Sequence, residues 1–421
     1  MYIRNGKIRK ITANRFQSIQ IDSMGNIILF DADKIRENFL PITFTRPISD
    51  IRLGITTIRK KWELEFPDSK FSYITAQYLQ SKYKLVSAAE NLFIAGHILP
   101  SEDIVNAIKK LNVNESLFHK DELIAFHGSL KNFKAGTYGN MINVDKSTLN
   151  IKMLYDIFLK NGEVLISDYI KITAGRESEP VSKSNAIIGD QFYSNGISKI
   201  FIEKGAKIEG AFLNVSNGPI YIGKNAEIME GTAIRGPFAA CDNAVVNMGT
   251  KIYGATTIGP FCKIGGEVNN IVMLGYSNKA HDGFLGNAVI GEWCNIGAGT
   301  NASNLKNDYT EIKLWNYNAQ RFLPTGLQFC GLIMGDHSKA GINCMFNTAT
   351  VIGVGVNIYG SGFPRNFVAS FSEGGTSGFI DVSLAKFFNI AQRVMSRRNV
   401  SLSEIDRHIF ESIHNIADNY K

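Results

Sequence analysis

From Ile222 onward an aliphatic or small residue returns at every sixth position, through Ile228, Ile234, Ala240, Val246, Ile252 and Ile258 to Ile264. Four residues after each anchor stands a second, generally small residue: Ala226, Thr232, Phe238, Ala244, Thr250, Thr256 and Cys262, of which only Phe238 is large. An α-helix cannot hold a six-residue period on one face, and the two-residue alternation of a half-buried strand does not skip so regularly. Such a period arises when each short strand forms one flat side of a prism, its anchor pointing inward and the small residue filling the corner. A parallel solenoid is therefore expected, each side hydrogen-bonded to the sides above and below. Eight anchors in unbroken register make chance periodicity improbable. Echoes at Ile202 and Ile208, at Ile290, Cys294 and Ile296, and at Ile352, Val356 and Ile358 extend the pattern. Glycine, 39 of 421 residues and concentrated after about residue 186, suits a chain that turns tightly and often.

The register breaks between Ile264 and Ile290, and again between about Asn301 and Thr350. Insertions in a solenoid emerge as surface loops, often on the binding face, so the polar run from Asn301 to Tyr309 invites a functional reading. After Asp381, Leu384, Phe387, Phe388, Ile390, Ala391 and Val394 fit an amphipathic helix. Asn399 interrupts it, and a second helix is expected from about Ser403, capped by Ser403 with Asp406. Both are expected to cover the prism or pack on a neighbour.

Lys and Arg exceed Asp and Glu by 45 to 38, but they are interspersed. That suits anionic small molecules better than nucleic acid, which calls for a concentrated basic face; an ordinary solvated surface accounts for the charge alone better than either. Cys241, Cys262, Cys294, Cys330 and Cys344 show neither metal-ligand spacing nor a paired framework, and read as buried small hydrophobes in a reducing compartment. No run of about 18 apolar residues exists to span a bilayer, and Met1–Ser23 lack a signal-peptide core. A cytoplasmic location without membrane partners is expected, with Met24 as a candidate original start.

The segment Asn278-Lys-Ala-His-Asp-Gly-Phe-Leu-Gly286, followed by Asn295-Ile-Gly-Ala-Gly-Thr300, resembles the acetyltransferase half of the bifunctional N-acetylglucosamine-1-phosphate uridylyltransferase/glucosamine-1-phosphate acetyltransferase family. That family carries K-A-G-H-x-x-Y-L-G-D at the same distance from N-I-G-A-G-T. Leu40-Pro-Ile-Thr-Phe-Thr-Arg-Pro47 with Trp62, and Gly326-Leu-Gln-Phe-Cys-Gly331, resemble a variant branch found in Bacteroidetes-type bacteria. The resemblance covers most of residues 24–400 and is sharp from about 220 to 370. It implies an α/β nucleotidyltransferase-like, doubly wound domain over 24–185 after an extension over 1–23. A left-handed parallel β-helix would follow over 186–380 and a helical tail over 381–421. It also implies acetyl-CoA as acyl donor and a homotrimer.

By that resemblance His281 is the general base. A sugar ammonium must lose a proton before nitrogen attacks a thioester, and imidazole titrates near neutrality. Asn295 matches the position that contacts the amino sugar, although an asparagine ladder in the solenoid explains it equally. Gly297 and Ala298 stand where a backbone N–H could meet the oxyanion, and Lys279 and Lys306 are candidates for the sugar phosphate. Three departures bear on the acceptor: Phe284 replaces a tyrosine, Gly265 stands near the family's phosphate-binding arginine, and the residue between Ala280 and His281 is missing.

In the N-terminal half, Asn26–Phe30, Phe71–Thr75, Leu92–Ala95 and Glu163–Ile166 are expected as strands, and Ser101–Leu111 as a capped helix. Nucleotidyl transfer from UTP or dTTP to a sugar 1-phosphate would need cations around the triphosphate and normally Mg²⁺. The G-x-G-T-R loop of sugar nucleotidyltransferases is absent. Thr45-Arg46-Pro47 and Arg52 are its nearest replacements, with Lys61 a further nucleotide-binding candidate; Ala95-Gly-His97 offers no carboxylate where the family binds metal, so either Asp31 or another acid supplies it or this half has lost its activity. Structural ion pairing is the competing explanation for Arg46 and Arg52. The leading expectation is a bifunctional enzyme. The alternatives are a nucleotidyltransferase with an oligomerising or regulatory β-helix, and a non-catalytic scaffold.

Overall fold

The computed structural model describes residues 25–144 and 150–421, so the expected extension over 1–23 and the alternative start at Met24 lie outside the described residues. The N-terminal half is built on a six-stranded mixed sheet. Strand Asn26–Phe30 lies between Lys70–Ile74 and Asn91–Ala95, both parallel to it. Glu122–Gly128 follows antiparallel, with Glu115–His119 and Asn140–Asn143 beyond it. Three of the expected strands are present, and Ser101 caps the helix Glu102–Lys109 by accepting from Ile104 N at 3.4 Å. Glu163–Ile166 is a correction. It belongs to the helix Asp156–Thr173, whose buried residues Ile157, Phe158, Asn161, Val164, Leu165, Asp168 and Tyr169 recur at helical spacing.

Residues from Ala186 to Gly375 wind into the expected β-helix. Ile220–Ile222, Phe238–Ala240 and Thr256–Ile258 stack as one side. Glu227–Ile228, Val245–Val246 and Lys263–Ile264 form a second, and Ala233–Arg235 with Lys251–Tyr253 a third. All eight anchors and all seven corner residues are buried, which is why the six-residue period is so regular. The first register break is a shortened coil: Ile258 lies against Met273 and Ile264 against Lys279. The second is an insertion, since Ile290 pairs with Met334. Much of it forms the antiparallel hairpin Lys313–Asn316/Arg321–Pro324.

The two halves share one continuous core. One apolar cluster runs from the α/β sheet over the outside of the coils to the tail helices, and another fills the prism. Arg46 reaches across to Asp336, donating to Oδ1 at 3.1 Å and Oδ2 at 2.6 Å, with Glu292 at 3.2 Å. Thr45 adds a bond to the same carboxylate at 2.7 Å. Tail helices Leu384–Ser396 and Glu404–Ala417 lie along the prism through Phe387 and Phe410, and Lys82 pairs with Asp406 at 2.8 Å.

One corner of the prism carries an aromatic ladder in left-handed backbone conformation: Phe261, Tyr276, Trp293 and His337. Tyr276 stacks on Phe261 at 4.9 Å and on Trp293 at 4.2 Å. Burial pushes the His337 pKa down to about 3, so the native ring is neutral. An unfolded chain binds a proton there below about 6.5 and the native state does not, so acid down to about pH 3 draws the equilibrium toward unfolding. His337→Phe, a ring type the ladder already accepts, is expected to lose about 2 kcal/mol less stability than wild type between pH 7 and pH 5 in urea titrations.

Candidate functional site

His281 is exposed at a corner of the prism. Its loop is held from inside. Lys279 occupies an anchor position between Ile264 and Ile296, is 1% exposed, and sends its ammonium to Gly265 O at 3.1 Å and His281 O at 2.6 Å. Burial brings its pKa down to about 8. Lys279 therefore positions the His281 turn, and its nitrogen is spent on two carbonyls instead of a sugar phosphate. Gly265, in the neighbourhood of the family's arginine, has a structural reason. A Cβ there would lie 2.4 Å from Ala280 O, so the shortened Ala280–His281 turn closes directly over it.

The coil below brings the second group. Gly299 N donates to Asp282 O at 3.0 Å, which places Ala298 one coil from His281 at the same corner. Adjacent parallel strands lie about 4.8 Å apart, so the His281 and Ala298 backbones are neighbours at that corner. Gly297 N is engaged with Ala340 O at 3.0 Å. Of the pair, only the Ala298 amide makes no hydrogen bond among the described residues.

Asn295, three residues before Ala298, points outward between Asn278 and Lys339. These three, with Lys263, Ala280, Tyr276, Trp293, Arg397 and Arg398, line a cavity of about 610 Å³ under the end of the first tail helix. Its lining holds four cations and no carboxylate. Lys339 donates to His337 O at 2.8 Å, with its pKa lowered by burial, and Arg398 donates to Asn278 Oδ1 at 3.2 Å. The sequence reading missed all four. The signals were a lysine one residue before an anchor at Lys263 and at Lys339, and an arginine pair ending an amphipathic helix. Lys306 is elsewhere: it donates to Glu311 O at 2.7 Å within the insertion and lines a separate cavity.

The nucleotide candidates of the N-terminal half are not gathered around a cavity. Arg46 is taken up by Asp336 and Glu292. Arg52 donates to Leu274 O at 3.0 Å and to Ile55 O, and Lys61 pairs with Asp168. Each ties protein to protein, Arg46 through a buried ion pair and Arg52 through backbone carbonyls. Asp31 does stand at the carboxyl end of the first strand, where a doubly wound sheet binds ligands. There it accepts from Ile48 N at 3.0 Å and Thr75 Oγ1 at 2.6 Å, is covered by the buried Ile48 and Ser49, and burial raises its pKa to about 6. Among the described residues no group of three or more His, Cys, Asp or Glu could hold a metal, and Arg36 lies 3.7 Å from Asp31. These residues do not fit a resident Mg²⁺.

Residues 27–177 match the family model described as sugar nucleotidyl transferase. A bifunctional sugar-1-phosphate nucleotidylyltransferase/acetyltransferase of Sulfurisphaera tokodaii is 32% identical over 34% of this chain and 35% of its own length. The bifunctional protein GlmU of Synechococcus elongatus is 29% identical over 34% of this chain and 29% of its own. The chain thus spans about a third of the curated relatives it matches. Among solved structures, the polySia-specific acetyltransferase NeuO aligns over 52% of this chain and 99% of its own at 11% identity and a TM-score of 0.32. The family model and the curated relatives bear out the resemblance read from the sequence, at modest identity. No described helix is long and apolar enough to cross a membrane.

Proposed function

We propose that the β-helix transfers an acetyl group from acetyl-CoA to the amine of a sugar 1-phosphate, with the catalytic corner at His281 and the acceptor in the adjoining basic cavity. The observation that carries this is the juxtaposition of His281, the open Ala298 amide and a four-cation cavity bordered by Ala280. The cations suit a phosphate, and Asn278 and Asn295 offer amides to sugar hydroxyls. His281 takes the proton as nitrogen attacks the thioester carbonyl, and Ala298 N–H meets the oxyanion. The C–S bond then breaks, and the CoA thiolate leaves with the proton returned by the imidazolium. Exposed Met248 (69%) and Ile342 (70%), on the His281 corner, are surfaces that a homotrimer would cover. Five unpaired, buried cysteines accord with a cytoplasmic setting.

Thiol release from acetyl-CoA with glucosamine-1-phosphate tests the reading. Arg398→Ala is expected to raise KM for the sugar about tenfold or more with kcat held, the loss of a charged hydrogen bond. No thiol release from any amino sugar phosphate would sink it.

Nucleotidyl transfer from UTP or dTTP to a sugar 1-phosphate, with added Mg²⁺, is assigned to the N-terminal half on its family match. The geometry there favours a second reading, in which this half is a buttress for the β-helix: Ile48 and Ser49 cover Asp31, and the three cations are spent on protein. Pyrophosphate release decides between them.

A further inference from the structure

The insertion that interrupts the coils builds a second cavity, of about 540 Å³, on the far side of the hairpin from the α/β half. Alternation along the hairpin decides which side chains reach it. Leu314 and Asn316 face the N-terminal half, where Asn316 donates to Asn38 Oδ1 at 3.1 Å and the following Tyr317 meets Phe44 edge-on at 5.5 Å. Lys313 and Trp315 line the cavity. Trp315 stacks on Phe367 of the coil at 4.2 Å, and its hairpin partner Phe322, 39% exposed, meets it edge-on at 5.3 Å.

Around these rings stand Lys306, Lys313 and Arg365, none within ion-pair distance of a carboxylate among the described residues. Lys306 is braced by Glu311 O, and the Arg365 guanidinium lies over the Phe379 ring at 4.9 Å. The lining holds no acid. The hairpin is anchored through its other face, so this one is fixed before any ligand arrives. A volume within the usual 300–1,000 Å³ range, an aromatic wall and three cations together match a planar base linked to phosphates. Inorganic phosphate or pyrophosphate alone would leave the rings without a partner.

We propose that this hairpin pocket binds a nucleoside carrying a di- or triphosphate, either as a free nucleotide or as the nucleotide end of a larger ligand such as CoA. The inference concerns binding and does not rest on the acyl-transfer reading. Equilibrium titration of the full chain with UDP and with ADP tests it, alongside inorganic pyrophosphate as the base-free probe. At least one nucleotide is expected to bind more tightly than pyrophosphate. Arg365→Gln and Phe322→Leu should each weaken it about tenfold, with thermal unfolding unchanged, while His281→Ala and Arg398→Ala leave it intact. Displacement by CoA identifies the nucleotide end of an acyl donor as the occupant, and its failure identifies a free nucleotide; either supports the site. Absence of nucleotide binding overturns the proposal. So does binding that survives both Arg365→Gln and Phe322→Leu, or that is lost in Arg398→Ala, which would place the nucleotide in the basic cavity.

Discussion

Arg46→Ala should lower the free energy of unfolding by about 3–5 kcal/mol, because it leaves Asp336 charged in a buried site with its main partner gone. Burial by itself opposes ionisation of Asp336, and Arg46 overrides it, holding the carboxyl below its ordinary pKa. Thr45 Oγ1 and Glu292 N, at 2.8 Å, still donate to the carboxylate, but neither brings a full charge. The control is the double variant Arg46→Met with Asp336→Leu. Replacing both ions with apolar groups of similar volume is expected to recover most of the loss, since a buried pair seldom outperforms good packing. Equilibrium unfolding in urea gives both numbers. A loss below about 1 kcal/mol for Arg46→Ala would mean that water reaches Asp336 and that the halves are held by other contacts.

His281→Ala is expected to reduce kcat for acetyl transfer by about 10²–10⁴, the usual contribution of a positioned general base. KM for the amino sugar should change little, because the cavity cations and Asn295 remain. His281→Gln separates proton transfer from simple occupancy: it preserves a polar group at the corner but cannot accept the ammonium proton, so it should be nearly as slow. The remaining activity of either variant should rise with pH, as more of the amine becomes free without help. Thiol release that survives both substitutions within a few-fold would move the base elsewhere.

The prism was legible in the residues because every coil repeats the same packing problem: an anchor such as Ile252 has to face inward, and a corner such as Thr250 has to be small. Lys279 shows where that logic was under-used. A lysine defaults to solvent, yet 279 follows Ile264 by 15 residues, one shortened coil, and so falls on an anchor position from which its ammonium can reach only backbone carbonyls. The helical placement of Glu163–Ile166 was hidden by a short apolar run that fits strand or helix until its neighbours at Asp156–Thr173 are counted. Arg46 and Arg52 could not be assigned from their surroundings in the chain. Besides the nearby carbonyls of Ile42 and Ile55, their partners across the halves lie 290 and 222 residues away, and no local pattern encodes such a distance. His281 and Asn295 stand out in the sequence through their flanks, whereas the cations of the cavity come from three separate stretches that only the winding of the coils and the return of the tail helix bring together.

The Arg46–Asp336 tie also bears on how the chain is made. Nascent proteins generally fold from the N-terminus as they emerge, at about 5–20 residues per second. Here the segment around Arg46 waits for an acid 290 positions later, roughly 15–60 s of translation. During that interval the half that leaves the ribosome first carries an unneutralised guanidinium and an uncovered apolar flank, the kind of surface that makes a folding intermediate prone to aggregate.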